Sequence, residues 1–90
     1  MYRIVSIKLY LHDSYSLKDK RQVLRSLLDK CKKFNISIAE TDFHDIWNCS
    51  ELTFAVVSNE EKHIQSIISN AISLIEEDYR VEILEQNTIL

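Results

Sequence analysis

The apolar residues of this 90-residue chain alternate between two spacings, and the order of these spacings constrains the fold more than any other feature. Four segments place apolar residues at every second position, which is the period of a strand with one buried face. Two segments repeat them at intervals of three and four residues, as an amphipathic helix does. The order along the chain is βαββαβ, which predicts two helices on one face of a four-stranded sheet.

The two β–α–β connections are expected to be right-handed crossovers. With that handedness the element order predicts an α+β, ferredoxin-like fold, with an antiparallel sheet of strand order 4-1-3-2. Residues 1–90 are expected to form one domain. Ser16 and Ser58 each precede an acidic residue, Asp19 and Glu61, by three positions, and this capping-box spacing predicts the helix starts. Strands are expected at 3–11, 36–42, 51–57 and from about 80, fading after 85, and helices at 16–34 and 60–77.

The chain contains no glycine and no proline. A phosphate-binding P-loop, a dinucleotide-binding turn and a nucleophile elbow all need glycine for their backbone geometry, so these three sites are excluded. No Ser-His-Asp or Cys-His arrangement can be assigned. The sequence therefore predicts a protein without catalytic residues, cofactor, metal or small-molecule ligand.

The distribution of apolar residues and cysteines predicts a cytoplasmic protein with no membrane partner. No apolar run approaches the roughly 18 residues of a membrane span. The first residues alternate and include Lys8, where a signal peptide would be uniformly apolar. Cys31 and Cys49 are too few and too far apart for a disulfide framework or a zinc site built from cysteine pairs.

Three short motifs resemble those of a known family. They are the run Ser16-Leu17-Lys18-Asp19-Lys20-Arg21, the Asp-x-Trp element at 45–47, and Ala55-Val56-Val57-Ser58-Asn59. Together, and over nearly the full length, they resemble the YlxP-like family of small bacterial proteins. The chain departs from the family pattern at Phe43, where the family has His, and at Asn48-Cys49. The resemblance implies a ferredoxin-like fold, no accepted catalytic residues and, from neighbouring genes for translation factors, an association with RNA or the ribosome.

Seven of the eleven Lys and Arg residues lie between Lys18 and Lys33, so residues 16–34 carry +5 and the rest of the chain −8. Such segregation attracts polyanions, and positions seven apart share one side of a helix. We expect this helix to bind ribosomal RNA or a ribosomal subunit, with a merely solvated basic face as the alternative. The candidate RNA-binding residues are Lys18, Lys20, Arg21, Arg25, Lys32 and Lys33.

The sheet face opposite the helices is the second candidate surface. Its side chains are small or apolar, and contiguous exposed apolar surface often marks an interface. A homodimeric scaffold or a protein-interaction module is therefore the alternative function, against a monomer with scattered exposed aliphatics. The predicted outward residues are Ile4, Ser6, Tyr10, Ala39, Thr53, Ala55, Val57 and Leu84. The candidate protein-interaction residues are Tyr10, Trp47, Ala55 and Val57.

The polar segment from Asp42 to Glu51 is the third candidate, because it contains carboxylates, His44 and Cys49. These groups could hold a cation or transfer protons, but their spacing matches no zinc or calcium template. We interpret the segment as a solvated loop. Trp47 is interpreted as an apolar plug over the end of the sheet, with an exposed recognition residue as the alternative.

Overall fold

The computed structural model describes residues 1–90 as an α+β arrangement of six elements. They are β1 (Tyr2–Leu11), α1 (Leu17–Cys31), β2 (Ser37–Asp42), β3 (Cys49–Val57), α2 (Glu61–Glu76) and β4 (Val81–Thr88). The sheet has the order β2-β3-β1-β4, and all neighbouring strands are antiparallel. This is the predicted order read from the other edge, so the ferredoxin-like fold is confirmed.

The core lies between the helices and one face of the sheet, where 17 apolar residues form a single buried cluster. Every second residue of β1 from Val5 to Leu11 and of β3 from Leu52 to Val56 belongs to it, as do six residues of α2 at helical spacing: Ile64, Ile67, Ile68, Ala71, Ile72 and Ile75. Removing such side chains from water stabilises the fold by about 1.5–3 kcal/mol for each large aliphatic residue. Neither helix is long and apolar enough to cross a membrane.

The two helices begin differently. Ser16 is the N-cap of α1, and its Oγ accepts a hydrogen bond from Asp19 N at 3.0 Å, as predicted. The predicted capping box of α2 is wrong, because Glu60 is the N-cap and no side chain caps the helix. Ser58 lies just after β3, and its backbone N–H donates to the Met1 carbonyl at 3.0 Å, so it is not free for the Glu61 side chain as a capping box requires.

The connection between α2 and β4 is fastened to α1 by a buried carboxylate. Asp78 accepts hydrogen bonds from Arg80 Nε at 2.9 Å and Nη2 at 2.6 Å, and Arg80 Nη2 donates to Ser26 Oγ at 3.0 Å. The Lys30 ammonium lies 3.5 Å from the same carboxylate. The Arg80 hydrogen bonds hold the pKa of Asp78 well below its usual range, although burial opposes this shift.

Strand β4 extends to Thr88, beyond the point near residue 85 where its apolar pattern fades. Its residues after Ile83 are exposed, so side-chain burial no longer marks the strand, but its backbone still pairs with β1. The register between β1 and β4 shifts between Lys8 and Leu9. Side-chain pattern alone therefore underestimates the length of this edge strand.

Candidate functional site

Three cations form a continuous stripe on the outside of α1. Lys18, Arg21 and Arg25 are exposed and take part in none of the six ion pairs of the structure. Their spacing of three and four residues places them on one side of the helix. We call these three residues the α1 basic stripe. Their charges are available to an external anion.

The cations at the C-terminal end of α1 are partly engaged within the protein. The Lys32 ammonium lies 3.0 Å from Asp29 in an exposed ion pair, and Lys33 places its ammonium 5.5 Å from the centre of the Phe34 ring. Exposed pairs of this kind contribute less than about 1 kcal/mol, so an external anion can still compete for Lys32. The unpaired positive charge is nevertheless concentrated toward the N-terminal half of α1.

Two grooves border the α1 basic stripe, and Arg25 lines both of them. The groove of about 370 Å³ lies toward β2 and has both aliphatic and charged walls. It is lined by Arg21, Leu24, Arg25, Leu28, Asp29, Lys32 and Glu40. The groove of about 510 Å³ is lined only by polar and charged residues, which are Gln22, Arg25, Ser26, Asp29 and Lys30. An anion beside Arg25 therefore meets further hydrogen-bond donors on either side, together with the Asp29 carboxylate, which lines both grooves.

Lys20 does not belong to this surface, which corrects its prediction as an RNA-binding residue. Its side chain is 1 % exposed. Lys20 stands four residues before Leu24 and seven before Leu27, so the helical period places it on the buried face with those residues. The helical spacing thus indicates burial of Lys20, whereas charge alone groups it with its exposed neighbours Lys18 and Arg21.

The buried ammonium of Lys20 holds the connection between β2 and β3. Its Nζ lies 3.0 Å from Glu40 Oε2 and donates to the backbone carbonyls of Phe43 at 2.7 Å and of His44 and Cys49 at 3.2 Å. The same Glu40 oxygen accepts a hydrogen bond from Ser50 Oγ at 2.8 Å. Because a buried charge is tolerated only when it is paired and hydrogen-bonded, this set of contacts fixes the path of residues 43–49.

That connection presents Trp47 to solvent beside Tyr15. The two rings are stacked, with centroids 6.2 Å apart and planes at 29°, and Tyr15 is 74 % and Trp47 43 % exposed. Ser14 Oγ donates to the Trp47 carbonyl at 2.5 Å, and Leu11 N donates to the Asn48 carbonyl at 2.8 Å. The interpretation of Trp47 as an apolar plug is therefore wrong, and the exposed alternative describes its position. We call these two rings the Tyr15–Trp47 pair.

The four predicted protein-interaction residues do not lie together. Tyr10 pairs with Cys49 at the start of β3, near Trp47, whereas Ala55 and Val57 lie at the other end of this nine-residue strand. At about 3.3 Å per residue, the two ends of β3 are about 26 Å apart. Val57 is 66 % exposed and pairs with Tyr2, which is also exposed. The predicted surface thus divides into two separate regions.

The cysteines and the polar side chains of the loop form no reactive or metal-binding site. Cys31 is fully buried in the core, and burial raises the pKa of its thiol, although the nearby Lys33 charge opposes this. Cys49 is partly buried, and neither cysteine forms a disulfide. No group of three or more His, Cys, Asp or Glu side chains is arranged to hold a metal ion. Ser6, predicted on the open sheet face, is buried there.

Comparisons with known proteins find a family, a relative and a solved structure with a similar fold. The family model described as "Protein of unknown function (DUF503)" matches residues 3–88. The chain is 36% identical over 64 residues to "Uncharacterized protein YlxP" of Bacillus subtilis (strain 168), over 66% of this chain and 70% of that protein. A de novo designed protein with a ferredoxin fold, solved by NMR, superimposes with a TM-score of 0.60, covering 100% of this chain and 86% of the other. At 18% identity, that likeness concerns the fold alone.

Proposed function

Because this chain belongs to the DUF503 family of YlxP-like proteins, to which no function is assigned, we propose its function from its surface: α1 binds structured ribosomal RNA. The observation that carries this proposal is that Lys18, Arg21 and Arg25 are exposed, adjacent and free of carboxylate partners. The protein acts by binding rather than by catalysis. A ribosomal partner would place it in the cytoplasm.

The dimensions of the α1 basic stripe suit a nucleic-acid backbone. Seven residues separate Lys18 from Arg25, which is a rise of about 10.5 Å along the helix. In a nucleic-acid duplex the phosphates of one strand recur about every 3.4 Å of helix axis or less, so three cations over this length can neutralise about three of them. The two arginines add planar, forked donors that suit phosphate oxygens, and both line the groove that faces β2.

The charge distribution favours a localised contact with RNA over non-specific binding to any nucleic acid. Outside residues 16–34 the chain carries −8, which repels a polyanion from the rest of the surface. On β1 and β3 the open sheet face presents only Tyr2 and Tyr10 as aromatic residues, at opposite ends of β1, unlike the adjacent aromatics of an RNA-recognition sheet. Recognition would therefore depend on the shape and phosphates of folded RNA.

Cosedimentation with ribosomal subunits and titration of labelled ribosomal RNA fragments test the proposal. With about three phosphate contacts, affinity should fall about 40-fold between about 50 mM and about 200 mM salt. Changing Lys18, Arg21 and Arg25 together to Glu should abolish binding while leaving the circular dichroism spectrum unchanged, because none of the three is buried.

Lys62→Glu supplies the matched control for Arg25→Glu, because Lys62 is also exposed and unpaired but lies on α2. Both substitutions change the net charge equally, so a contact on α1 requires Arg25→Glu to weaken binding much more. Equal losses would indicate a response to net charge only. Retained binding by the triple variant would refute the proposal.

A second candidate function, self-association through the open sheet face, is favoured by the exposed Tyr2 and Val57 pair. Ile89 and Leu90 lie beside Ile4 through backbone hydrogen bonds and are exposed as well, which adds apolar surface near this corner of the sheet. A two-fold dimer would cover it. Sedimentation of the parent protein and of Val57→Lys decides this: a dimer converted to a monomer supports it, and a monomeric parent contradicts it.

A further inference from the structure

We propose that the Tyr15–Trp47 pair is a docking surface for a basic, arginine-containing peptide segment of a partner protein. Both rings expose much of their surface, and the neighbouring Ile46 is also exposed. Exposed aromatic residues held by fixed backbone contacts commonly serve recognition, because few side-chain rotations are lost when a partner binds. This inference concerns a different surface from the α1 basic stripe and does not depend on RNA binding.

The charges near the Tyr15–Trp47 pair favour a positively charged partner. The Tyr15 hydroxyl donates to Asp13 Oδ1 at 3.4 Å, Asp19 Oδ2 accepts from Tyr15 N at 3.0 Å, and Asp45 is exposed two residues before Trp47. The neighbouring cation in the first turn of α1 is Lys18. Two carboxylates thus contact Tyr15 itself, and none of Asp13, Asp19 and Asp45 takes part in an ion pair, which favours a cationic ligand over a phosphate backbone.

The chemistry of the two rings favours arginine among cationic side chains. A guanidinium stacks on the faces of Trp and Tyr and forms paired hydrogen bonds with carboxylates, whereas an ammonium does neither as well. The surface is also formed in advance, because Lys20 and Ser14 fix the backbone of the connection that carries Trp47. Little ordering of the protein would therefore oppose binding.

Fluorescence gives a direct measurement, because Trp47 is the only tryptophan of the chain. Titration with an arginine-rich hexapeptide should change the Trp47 emission until it saturates. A hexapeptide with lysine in place of arginine should give a weaker change, and one with glutamate should give none. Equal responses to the arginine and glutamate peptides would overturn the proposal. So would a change in Trp47 emission with RNA but not with the arginine peptide, since the surface would then recognise a nucleic acid.

Variants separate this surface from the α1 basic stripe. Tyr15→Ala should lower the affinity for the arginine peptide about threefold to fivefold, as expected for the loss of one exposed cation–π contact. Tyr79→Ala is the control, because Tyr79 is 87 % exposed but lies between α2 and β4, and it should have no effect. Lys18→Glu should strengthen peptide binding and weaken RNA binding. A loss of peptide affinity in Lys18→Glu, or equal effects of the two tyrosine substitutions, would refute the proposal.

Discussion

The ammonium of Lys20 and the carboxylate of Glu40 lie 3.0 Å apart beneath α1, and this pair links the basic helix to the connection that carries Trp47. Lys20 comes from the same run of cations as Lys18 and Arg21, which point outward. One helix thus uses its positive charges in two ways. The inward charge organises a neighbouring loop, and the outward charges remain available to a partner.

Removing the buried ammonium should destabilise the protein strongly. Lys20→Ala leaves the Glu40 carboxylate without its partner and three carbonyls without their donor, so the free energy of unfolding should fall by about 3–5 kcal/mol. Urea denaturation measures this directly. Lys18→Ala, which removes an exposed and unpaired cation two residues away, should change stability by less than about 0.5 kcal/mol. Similar values for the two variants would contradict the role assigned to Lys20.

Acid should weaken the fold partly through Asp78. Because its pKa is lower in the folded than in the unfolded state, the folded protein binds fewer protons at this site, and the stabilisation is complete above the unfolded pKa of about 3.9. It is lost as the pH falls below that value. Asp78→Asn should therefore lower the free energy of unfolding near neutral pH, and the free energy of the variant should fall less steeply in acid than that of the parent. Urea midpoints between about pH 3 and pH 7 measure both effects. Asp45→Asn, at an exposed carboxylate without an ion pair, should change stability near neutral pH by less than about 0.5 kcal/mol.

The two serines that precede the helices should differ in their contribution to stability. Ser16→Ala removes the hydrogen bond to Asp19 N and should cost about 1 kcal/mol. Ser58→Ala should cost less than about 0.5 kcal/mol, because Ser58 lies outside α2 and accepts only a 3.3 Å bond from Glu60 N. Thermal or urea unfolding of the two variants tests this, and an equal loss would mean that Ser58 caps α2 in solution.

The thiol of Cys31 should react only when the protein unfolds. Burial both hides the sulfur and raises its pKa, and the thiolate is the reactive form. In a Cys49→Ser variant, where Cys31 is the remaining thiol, modification by a disulfide reagent should be slow and should accelerate with urea in proportion to the unfolded fraction. Rapid modification of the native variant would show that the core opens locally around α1.

The fold was predictable because its core obeys simple periods. Leu52, Phe54 and Val56 alternate in β3 and are all buried, and the helical spacing of α2 identifies every residue that it buries. The start of α2 was not predictable from Ser58 and Glu61, because the Met1 carbonyl takes the Ser58 N–H that a capping box would offer to Glu61. Local motifs fail where a contact distant in sequence takes the same backbone group.

The candidate site was only partly predictable for the same reason. Exposure of Lys18 and Arg25 follows from their spacing, and so does burial of Lys20 once its distance from Leu24 is counted. The stacking of Tyr15 on Trp47 joins residues 32 positions apart, across a helix and a strand. No local pattern in the sequence contains that contact, so the exposed pair emerges only from the folded chain.

Phe43 has a positive φ of 61°, a conformation that suits glycine and costs a bulky residue about 1–2 kcal/mol. Its carbonyl receives the shortest of the Lys20 hydrogen bonds, so the buried ammonium offsets the energy stored in this residue. Any change that withdraws the ammonium should let the backbone relax and carry Trp47 with it. By reciprocity, a molecule that binds Trp47 only in this position must also stabilise the hydrogen bonds of the Lys20 ammonium, so occupancy of the surface and order in the interior would rise together.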